Sequence, residues 1–184
     1  MKLLRICISI VTLLGATTLV SAQQKKAPAS PVATATATIG GKTIKIDYSS
    51  PRVRDRAGKL FGKDGRIGQD GTYPIWRAGA NTSTTLHTTG DLAFGSLAVP
   101  SGDYSLYVNL ADANSWELVI NKQTGQWGTE YDKGQDVGRV KMTMSKPPAM
   151  VDNLTYTVTD KGGNKGQLTL EWENHRASVD FTVK

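Results

Sequence analysis

The chain has 184 residues, of which 22 are basic, 16 are acidic and 39% are hydrophobic, giving a formal net charge of +6 at pH 7. This length suits one globular domain that buries a sizeable core. The basic residues are spread along the chain, which argues against nucleic-acid binding, because that function usually shows a clustered basic footprint.

The first 22 residues have the pattern of a secretory signal peptide. Lys2 and Arg5 precede an apolar run over residues 6–20, and small residues lead up to Ala22. The run is too short for a membrane span, which needs ~20 apolar residues. We therefore predict cleavage after Ala22, a secreted or periplasmic location and no membrane span. The only cysteine, Cys7, leaves with the signal, so the mature chain has no thiol for a disulfide or a metal.

Residues 23–31 are polar, contain two prolines and show no periodicity, so we predict a disordered linker. The domain is expected to span residues 32–184. Gly40-Gly41 lies between two alternating runs and predicts a β-hairpin. The stretch 49–74 lacks alternation but carries several apolar side chains, which predicts a long ordered loop packed on the domain.

Short strands are predicted in quick succession from residue 84 onward. Alternation places apolar side chains on one face of each strand, because successive side chains point to opposite faces. Eight to ten such strands, with no sustained 3.6-residue period, predict an all-β fold: an antiparallel β-sandwich or jelly-roll-like barrel in a single domain. The predicted core residues are Leu106, Trp116, Leu118, Ile120, Leu170, Trp172 and Phe181.

No motif fixes a reaction or a metal. His87 and His175 each lack a second ligand at i+2 or i+4, whereas a zinc site needs three or four ligands. Glu171 and Glu173 share one strand face at about 6.5–7 Å, a spacing open to glycosidase chemistry. Two solvated glutamates on an outer face explain that pattern better. We expect no metal and no cofactor, and we favour a binding protein over an enzyme.

The basic and aromatic residues around the long loop form the best candidate site. Three arginines at i, i+2 and i+4 after Pro51 project to one side if the chain stays extended. Guanidinium groups match carboxylates and phosphates in two-point geometry, although Asp55, Asp64 or Asp70 are alternative partners. Trp127 lies in a polar segment, where packing is a better explanation than stacking on a sugar. The predicted ligand-binding residues are Arg52, Arg54, Arg56, Trp76, Arg77 and Asn81.

Five segments, in this order, resemble the family called domain of unknown function 2911: DYSSPRVRDR, YPIWRAGANTSTTL, VPSGDYSLYV, WELVINKQTGQWG and LEWENHRASVDFTV. The resemblance covers residues 33–184 and implies a compact, mostly β, exported bacterial protein. It implies no activity. The family pattern often has Glu after Gly-Ala-Asn, where this chain has Thr82, and this difference weakens a catalytic interpretation of that segment.

Three functions remain open from the sequence. The first is an exported domain that binds a small anionic or carbohydrate-like ligand in a cleft lined by arginine and tryptophan. The second is a hydrolase that uses carboxylates near the cleft, among Glu171, Glu173 and the loop aspartates. The third is a structural, envelope-associated protein without a ligand.

Overall fold

The computed structural model describes residues 28–184. The predicted signal peptide and most of the predicted linker lie outside the described residues. Within residues 28–184 the structure has β-strands, one short 3-10 helix and no α-helix, so the all-β prediction is confirmed. No helix in this part of the chain is long and apolar enough to cross a membrane.

The described chain forms thirteen strands, more than the eight to ten predicted. The additional strands are only two or three residues long, which is too short for an alternating pattern to register. The elements are β1 (Val32–Ile39), β2 (Lys42–Ser49), β3 (Ile75–Trp76), β4 (Thr84–Thr88), β5 (Leu92–Phe94), β6 (Leu97–Val99), β7 (Gly102–Asn109), β8 (Glu117–Asn121), the 3-10 helix (Lys133–Gln135), β9 (Asp136–Lys141), β10 (Thr143–Ser145), β11 (Val151–Gly162), β12 (Lys165–Glu173) and β13 (His175–Val183).

The strands form two antiparallel sheets that pack face to face as a β-sandwich. The first sheet has the order β1-β2-β4-β7-β8-β9, and β3 also pairs with β7. The second has the order β11-β12-β13-β5-β6, and β10 pairs with β13. At the edges, β1 contacts β11 and β6 contacts β9, so the two sheets are aligned along both sides.

The facing sides of the sheets meet in one hydrophobic core. All seven predicted core residues are buried there, with exposed fractions of 4% or less. The predicted hairpin turn at Gly40 and Gly41 is also present, with Ile39 paired to Lys42. Both glycines have positive φ angles, 57° and 75°, as the tight two-residue turn between twisted strands requires.

The long loop, residues 50–74, is ordered against the core as predicted. Val53 and Leu60 have no exposed surface, and Ile67 is 5% exposed. The ring of Phe61 contacts the rings of Trp76 and Trp116 at centroid distances of 5.6 and 5.1 Å. These anchors fix the loop across one end of the sandwich.

Between β3 and β4 the chain leaves the sheet and returns to it. Trp76 pairs with Val108, whereas Thr84 pairs with Leu106 on the same strand, β7. In a regular antiparallel ladder residue 78 would lie opposite Leu106, so about six additional residues are accommodated here. We call residues 77–83 the 77–83 bulge. It projects from the same end of the sandwich as the long loop.

Candidate functional site

A polar cleft of about 530 Å³ opens where the long loop, the 77–83 bulge and the segment after β8 meet. Four arginines and two aspartates are among its lining residues, with two buried tryptophans and one exposed tryptophan. This size and mixture of aromatic and polar groups lie within the range of small-molecule sites.

Five of the six predicted ligand-binding residues line this cleft. They are Arg54, Arg56, Trp76, Arg77 and Asn81. Arg52 is not among the lining residues. Its Nε donates a hydrogen bond to Oδ1 of Asn153 at 3.0 Å. The structure brings these five together, and their role in binding a ligand stays a prediction.

The expectation that the three arginines project from an extended segment is wrong. Arg54 has a φ angle of 54°, in the left-handed region that residues other than glycine seldom adopt. The chain therefore turns at Arg54. Beyond the turn, Arg56 folds back and donates hydrogen bonds from Nε and Nη2 to the backbone oxygens of Val53 and Arg52.

Asp70 holds two of the cleft arginines. Arg77 Nη2 lies 2.9 Å from Asp70 Oδ2, and Arg66 Nη1 lies 3.3 Å from Asp70 Oδ1. The side chains of Arg77 and Asp70 are 12% and 17% exposed, whereas that of Arg66 is 56% exposed. Part of the arginine charge that the sequence suggested would bind an anionic ligand is thus balanced by a carboxylate of the protein.

The 77–83 bulge is fixed by hydrogen bonds from both sheets. Thr84 Oγ1 and the buried Tyr156 hydroxyl both donate to the carbonyl oxygen of Ala78, at 3.1 and 3.0 Å. The amide of Ala80 donates to the carbonyl of Ser49 at 3.2 Å. Ala78 and Asn81 have positive φ angles, and these contacts hold that conformation in place.

Two stacked tryptophans form the apolar floor of the cleft. The rings of Trp76 and Trp172 lie 5.8 Å apart at an interplanar angle of 14°. Both are almost fully buried, and Trp172 Nε1 donates to the carbonyl of Asp152 at 3.2 Å. Their main contribution is therefore to the core.

Trp127 is the aromatic side chain that the cleft presents to solvent. It is 49% exposed, so packing does not explain it, contrary to the interpretation from sequence. Its backbone is held by a β-bridge to Thr82 and by a 2.9 Å hydrogen bond from the Gly128 amide to the carbonyl of Asn81. Next to it, the buried Gln126 donates to the hydroxyl of Tyr107 at 2.8 Å. A Trp before a glycine in a polar run was the only sequence signal for this residue.

The glutamates considered for hydrolase chemistry do not form a pair on an outer face. Glu171 Oε1 accepts from Arg176 Nε at 2.6 Å. Glu173 is 3% exposed, and its carboxylate accepts a hydrogen bond from the Gly58 amide in the long loop. The prediction of a solvated Glu173 is wrong because its φ of 55° at the β12–β13 turn directs the side chain inward, under the loop.

Residues 28–184 contain no group of three His, Cys, Asp or Glu side chains placed to hold a metal ion. His87 Nδ1 lies 2.7 Å from Asp103 Oδ1 on the first sheet. His175 packs against the rings of Phe61 and Trp116 at centroid distances of 4.4 and 5.2 Å. Each histidine thus has its own protein neighbours.

A second hollow, of about 350 Å³, is lined by the second sheet near Lys161, Lys165 and Asp180. The one aromatic residue in its lining, Phe181, is a core residue with 3% exposure. Of the two hollows, only the cleft at Trp127 offers an exposed aromatic ring.

Comparison with known proteins gives a family match and a partial similarity. Residues 30–181 match the family described as "Protein of unknown function (DUF2911)". Two curated proteins, each named "Probable beta-glucosidase F" and from Aspergillus fumigatus strains CEA10 and Af293, are 30% identical over 138 residues. The match covers 72% of this chain but 15% of each relative, so the chain spans a small part of those proteins. No solved structure shows a significant match.

Proposed function

The chain belongs to the DUF2911 family, whose description states no activity, and we propose that its cleft binds a small carbohydrate-like or anionic ligand. The observation that carries this proposal is the exposed Trp127, held by backbone bonds at the edge of a polar cleft. A large aromatic ring supplies broad contact area at low entropic cost, because its side chain has only two rotatable bonds.

The polar lining supports the same proposal. A sugar ring has an apolar face, which suits an indole, and hydroxyl groups around its edge, which need donors and acceptors. Arg54, Arg56 and Asn81 supply donors at the cleft, and Asp55 supplies an acceptor. Several polar groups beside one apolar surface are the usual composition of a small-molecule site.

Binding is better supported than hydrolysis. Most glycosidases use two carboxyl groups on opposite sides of the scissile bond. Asp55 and Asp70 are the carboxylates of this cleft, and Asp70 is engaged by Arg66 and Arg77. One of these arginines lies on each carboxylate oxygen, so Asp70 is not free to act as one of such a pair. The similarity to proteins named beta-glucosidase supports a ligand related to β-linked glucose. Because it covers only 15% of their length, it does not support the hydrolysis reaction for this chain.

The test is a calorimetric titration of the mature chain, residues 23–184, with cello-oligosaccharides and with inorganic phosphate. We expect measurable binding of at least one probe and a loss of about tenfold in Trp127→Ala, the effect of one aromatic contact. Met150→Ala is the matched control, because Met150 is equally exposed, at 50%, and is not among the residues lining the cleft. Absence of binding by the wild-type protein to every probe would favour the structural role.

We also propose that the protein acts outside the cytoplasm. This proposal is supported by the basic start, apolar run and small residues of the first 22 positions. Intact-mass measurement of protein from the native host is expected to give a chain that begins at Gln23. Exported protein that retains Met1 would contradict the proposal.

A further inference from the structure

We infer that the ligand of the cleft is an acidic saccharide, whose ring lies on Trp127 while its carboxylate is bound by Arg54 and Arg56. This inference rests on the proposed function and narrows it to one class of ligand. It follows from how the four cleft arginines differ in the partners that the protein gives them.

Arg66 and Arg77 already have a carboxylate partner. Both lie within 3.3 Å of Asp70, one on each of its oxygens. A ligand carboxylate at this end of the cleft would compete with Asp70 and would be repelled by it. This end is therefore the less favourable position for an anion.

Arg54 and Arg56 have no such partner. Among the residues that the structure describes, no carboxylate oxygen lies within 4 Å of either guanidinium group. Arg56 donates only to the carbonyl oxygens of Val53 and Arg52, which orient the guanidinium group without cancelling its charge. Arg54 and Arg56 are thus the two cleft arginines whose guanidinium groups have no carboxylate of residues 28–184 within 4 Å, and they remain available to a ligand although Asp55 also lines the cleft.

The backbone at Arg54 is fixed, and within residues 28–184 its guanidinium group forms no side-chain hydrogen bond or ion pair. Its amide donates to Oδ1 of Asp152 at 3.1 Å, and the preceding amide, of Val53, donates to the carbonyl of Asp152 at 2.8 Å. These bonds to β11 hold Arg54 at its φ of 54°. Conformations of this kind persist where surrounding contacts enforce them, often at ligand sites. Here the enforced turn places a free guanidinium group at the cleft.

The cleft is better matched to a ligand larger than a small inorganic anion. At about 530 Å³ it is much larger than phosphate, and phosphate would leave Trp127 without a partner. A ligand that uses both regions needs a flat ring and an anionic group in one molecule. A uronic acid meets this need, because it carries a carboxylate on a ring with an apolar face, and a guanidinium group binds carboxylate through two parallel hydrogen bonds. A nucleotide is the competing class, and the lining acceptor Asp55 favours the hydroxyl-rich saccharide.

The experiment compares cellotetraose with the β-1,4-linked glucuronate tetramer, which has the same length and linkage but a carboxylate on each ring. Calorimetry on the mature chain, residues 23–184, is run at low and moderate salt, with inorganic phosphate and adenosine monophosphate as further probes. We expect the glucuronate tetramer to bind about tenfold more tightly than cellotetraose. This preference is expected to shrink as salt rises, because exposed charges are screened.

The variants assign the preference to individual side chains. Arg54→Gln and, separately, Arg56→Gln are expected to bring glucuronate affinity down to the level of cellotetraose. Arg176→Gln is the matched control, because it removes an arginine charge that lies outside the cleft and is paired with Glu171, and its glucuronate affinity is expected to stay within about twofold of wild type. Thermal melting of each variant establishes that it is folded. The use of two variants keeps the test decisive if Arg56→Gln, which loses bonds within the loop, unfolds.

The outcomes separate the inference from the proposed function. Equal affinity for the two tetramers overturns the acidic-saccharide inference and leaves saccharide binding intact. Binding of phosphate or adenosine monophosphate as tight as that of glucuronate also overturns the inference. If Arg54→Gln still prefers the glucuronate tetramer over cellotetraose, Arg54 does not bind the carboxylate and that part of the inference is wrong. If neither tetramer nor any other probe binds, the proposed function fails together with the inference.

Discussion

The Nη2 atom of Arg77 lies 2.9 Å from Oδ2 of Asp70, and the two side chains are only 12% and 17% exposed. On its other side, Arg77 Nη1 donates to the carbonyl of Asn81 at 3.2 Å. One guanidinium group therefore connects the long loop to the 77–83 bulge. These contacts make Arg77 part of the wall of the cleft and limit its availability to a ligand.

Arg77→Lys is expected to lower the free energy of unfolding by about 1–3 kcal/mol, the range for losing charge-assisted hydrogen bonds at a largely buried site. A single ammonium group cannot reproduce the two directions in which the guanidinium group donates. Urea denaturation measures the change. Arg66→Lys alters the exposed partner of the same carboxylate and is expected to cost less than about 0.5 kcal/mol. Equal costs in the two variants would contradict this role for Arg77.

Gly128→Ala is expected to displace the Arg77 side chain and lower the free energy of unfolding. A Cβ atom at position 128 would lie 2.3 Å from Cδ of Arg77, which is closer than real Cβ contacts come. Because Arg77 is tied to Asp70 and Asn81, it cannot move without losing a bond. We expect a loss of about 1–3 kcal/mol in stability. Gly71→Ala, where no atom lies within 4 Å of the added Cβ, is the control and should unfold at nearly the wild-type urea concentration.

Alanine substitutions of the cleft tryptophans are expected to differ in how much they lower the free energy of unfolding. Trp172→Ala empties a core site stacked on Trp76 and should cost about 3–5 kcal/mol. Trp127→Ala removes a half-exposed ring and should change stability by no more than about 0.5 kcal/mol. Chemical denaturation of both variants tests this. A large loss of stability in Trp127→Ala would show that its ring supports the fold and would argue against a ligand platform.

Acidification is expected to destabilise the protein partly through His175. Burial lowers the pKa of His175 below its usual 6.5, the nearby Lys146 lowers the pKa further, and Glu173 partly opposes the shift. At 3.6 Å, Glu173 is too distant from His175 Nδ1 for a hydrogen bond. The folded state thus binds fewer protons than the unfolded state below pH 6.5, so this contribution to stability is present above that pH and is lost as the pH falls through the lowered pKa.

The measurement is urea denaturation of wild type and His175→Gln between pH 7.5 and 5.5. The variant cannot titrate at this position, so its free energy of unfolding should fall less over that range than that of wild type. An identical fall in both proteins would contradict burial as the cause. A steeper fall in the variant would indicate that the contact with Glu173 outweighs burial.

The sequence was sufficient to predict those features that depend only on residues close together along the chain. The Gly40-Gly41 turn and the buried faces around Leu106, Ile120 and Phe181 follow from turn chemistry and alternation, and both are present. Both are local properties, because a strand buries alternate residues whatever its partner is. The sandwich itself could be predicted in this way, whereas the two-residue strand β3 and the separate strand β10 could not.

The geometry of the cleft depends on contacts between distant residues and was only partly predictable. Arg54 adopts its φ of 54° beside Asp152, which binds its amide from β11. Likewise, the inward side chain of Glu173 follows from its φ at a turn and from the amide of Gly58 in another segment. The sequence identified five residues that line the cleft, but it did not identify Trp127, whose exposure depends on how Gln126 and Gly128 are held.

Binding of a saccharide in the cleft at Trp127 can be observed residue by residue. The most direct measurement is a ¹H–¹⁵N correlation NMR titration of the mature chain, residues 23–184, with cellotetraose and, separately, with the β-1,4-linked glucuronate tetramer, followed at the backbone amides and at the four tryptophan indole signals. If a saccharide ring lies on Trp127, the largest saturable shifts are expected at the Trp127 indole and at the amides of Asn81 and Gly128, with small shifts at Trp116. Shifts that concentrate instead near Lys161, Lys165 and Asp180, or the absence of any saturable shift, would contradict saccharide binding in this cleft.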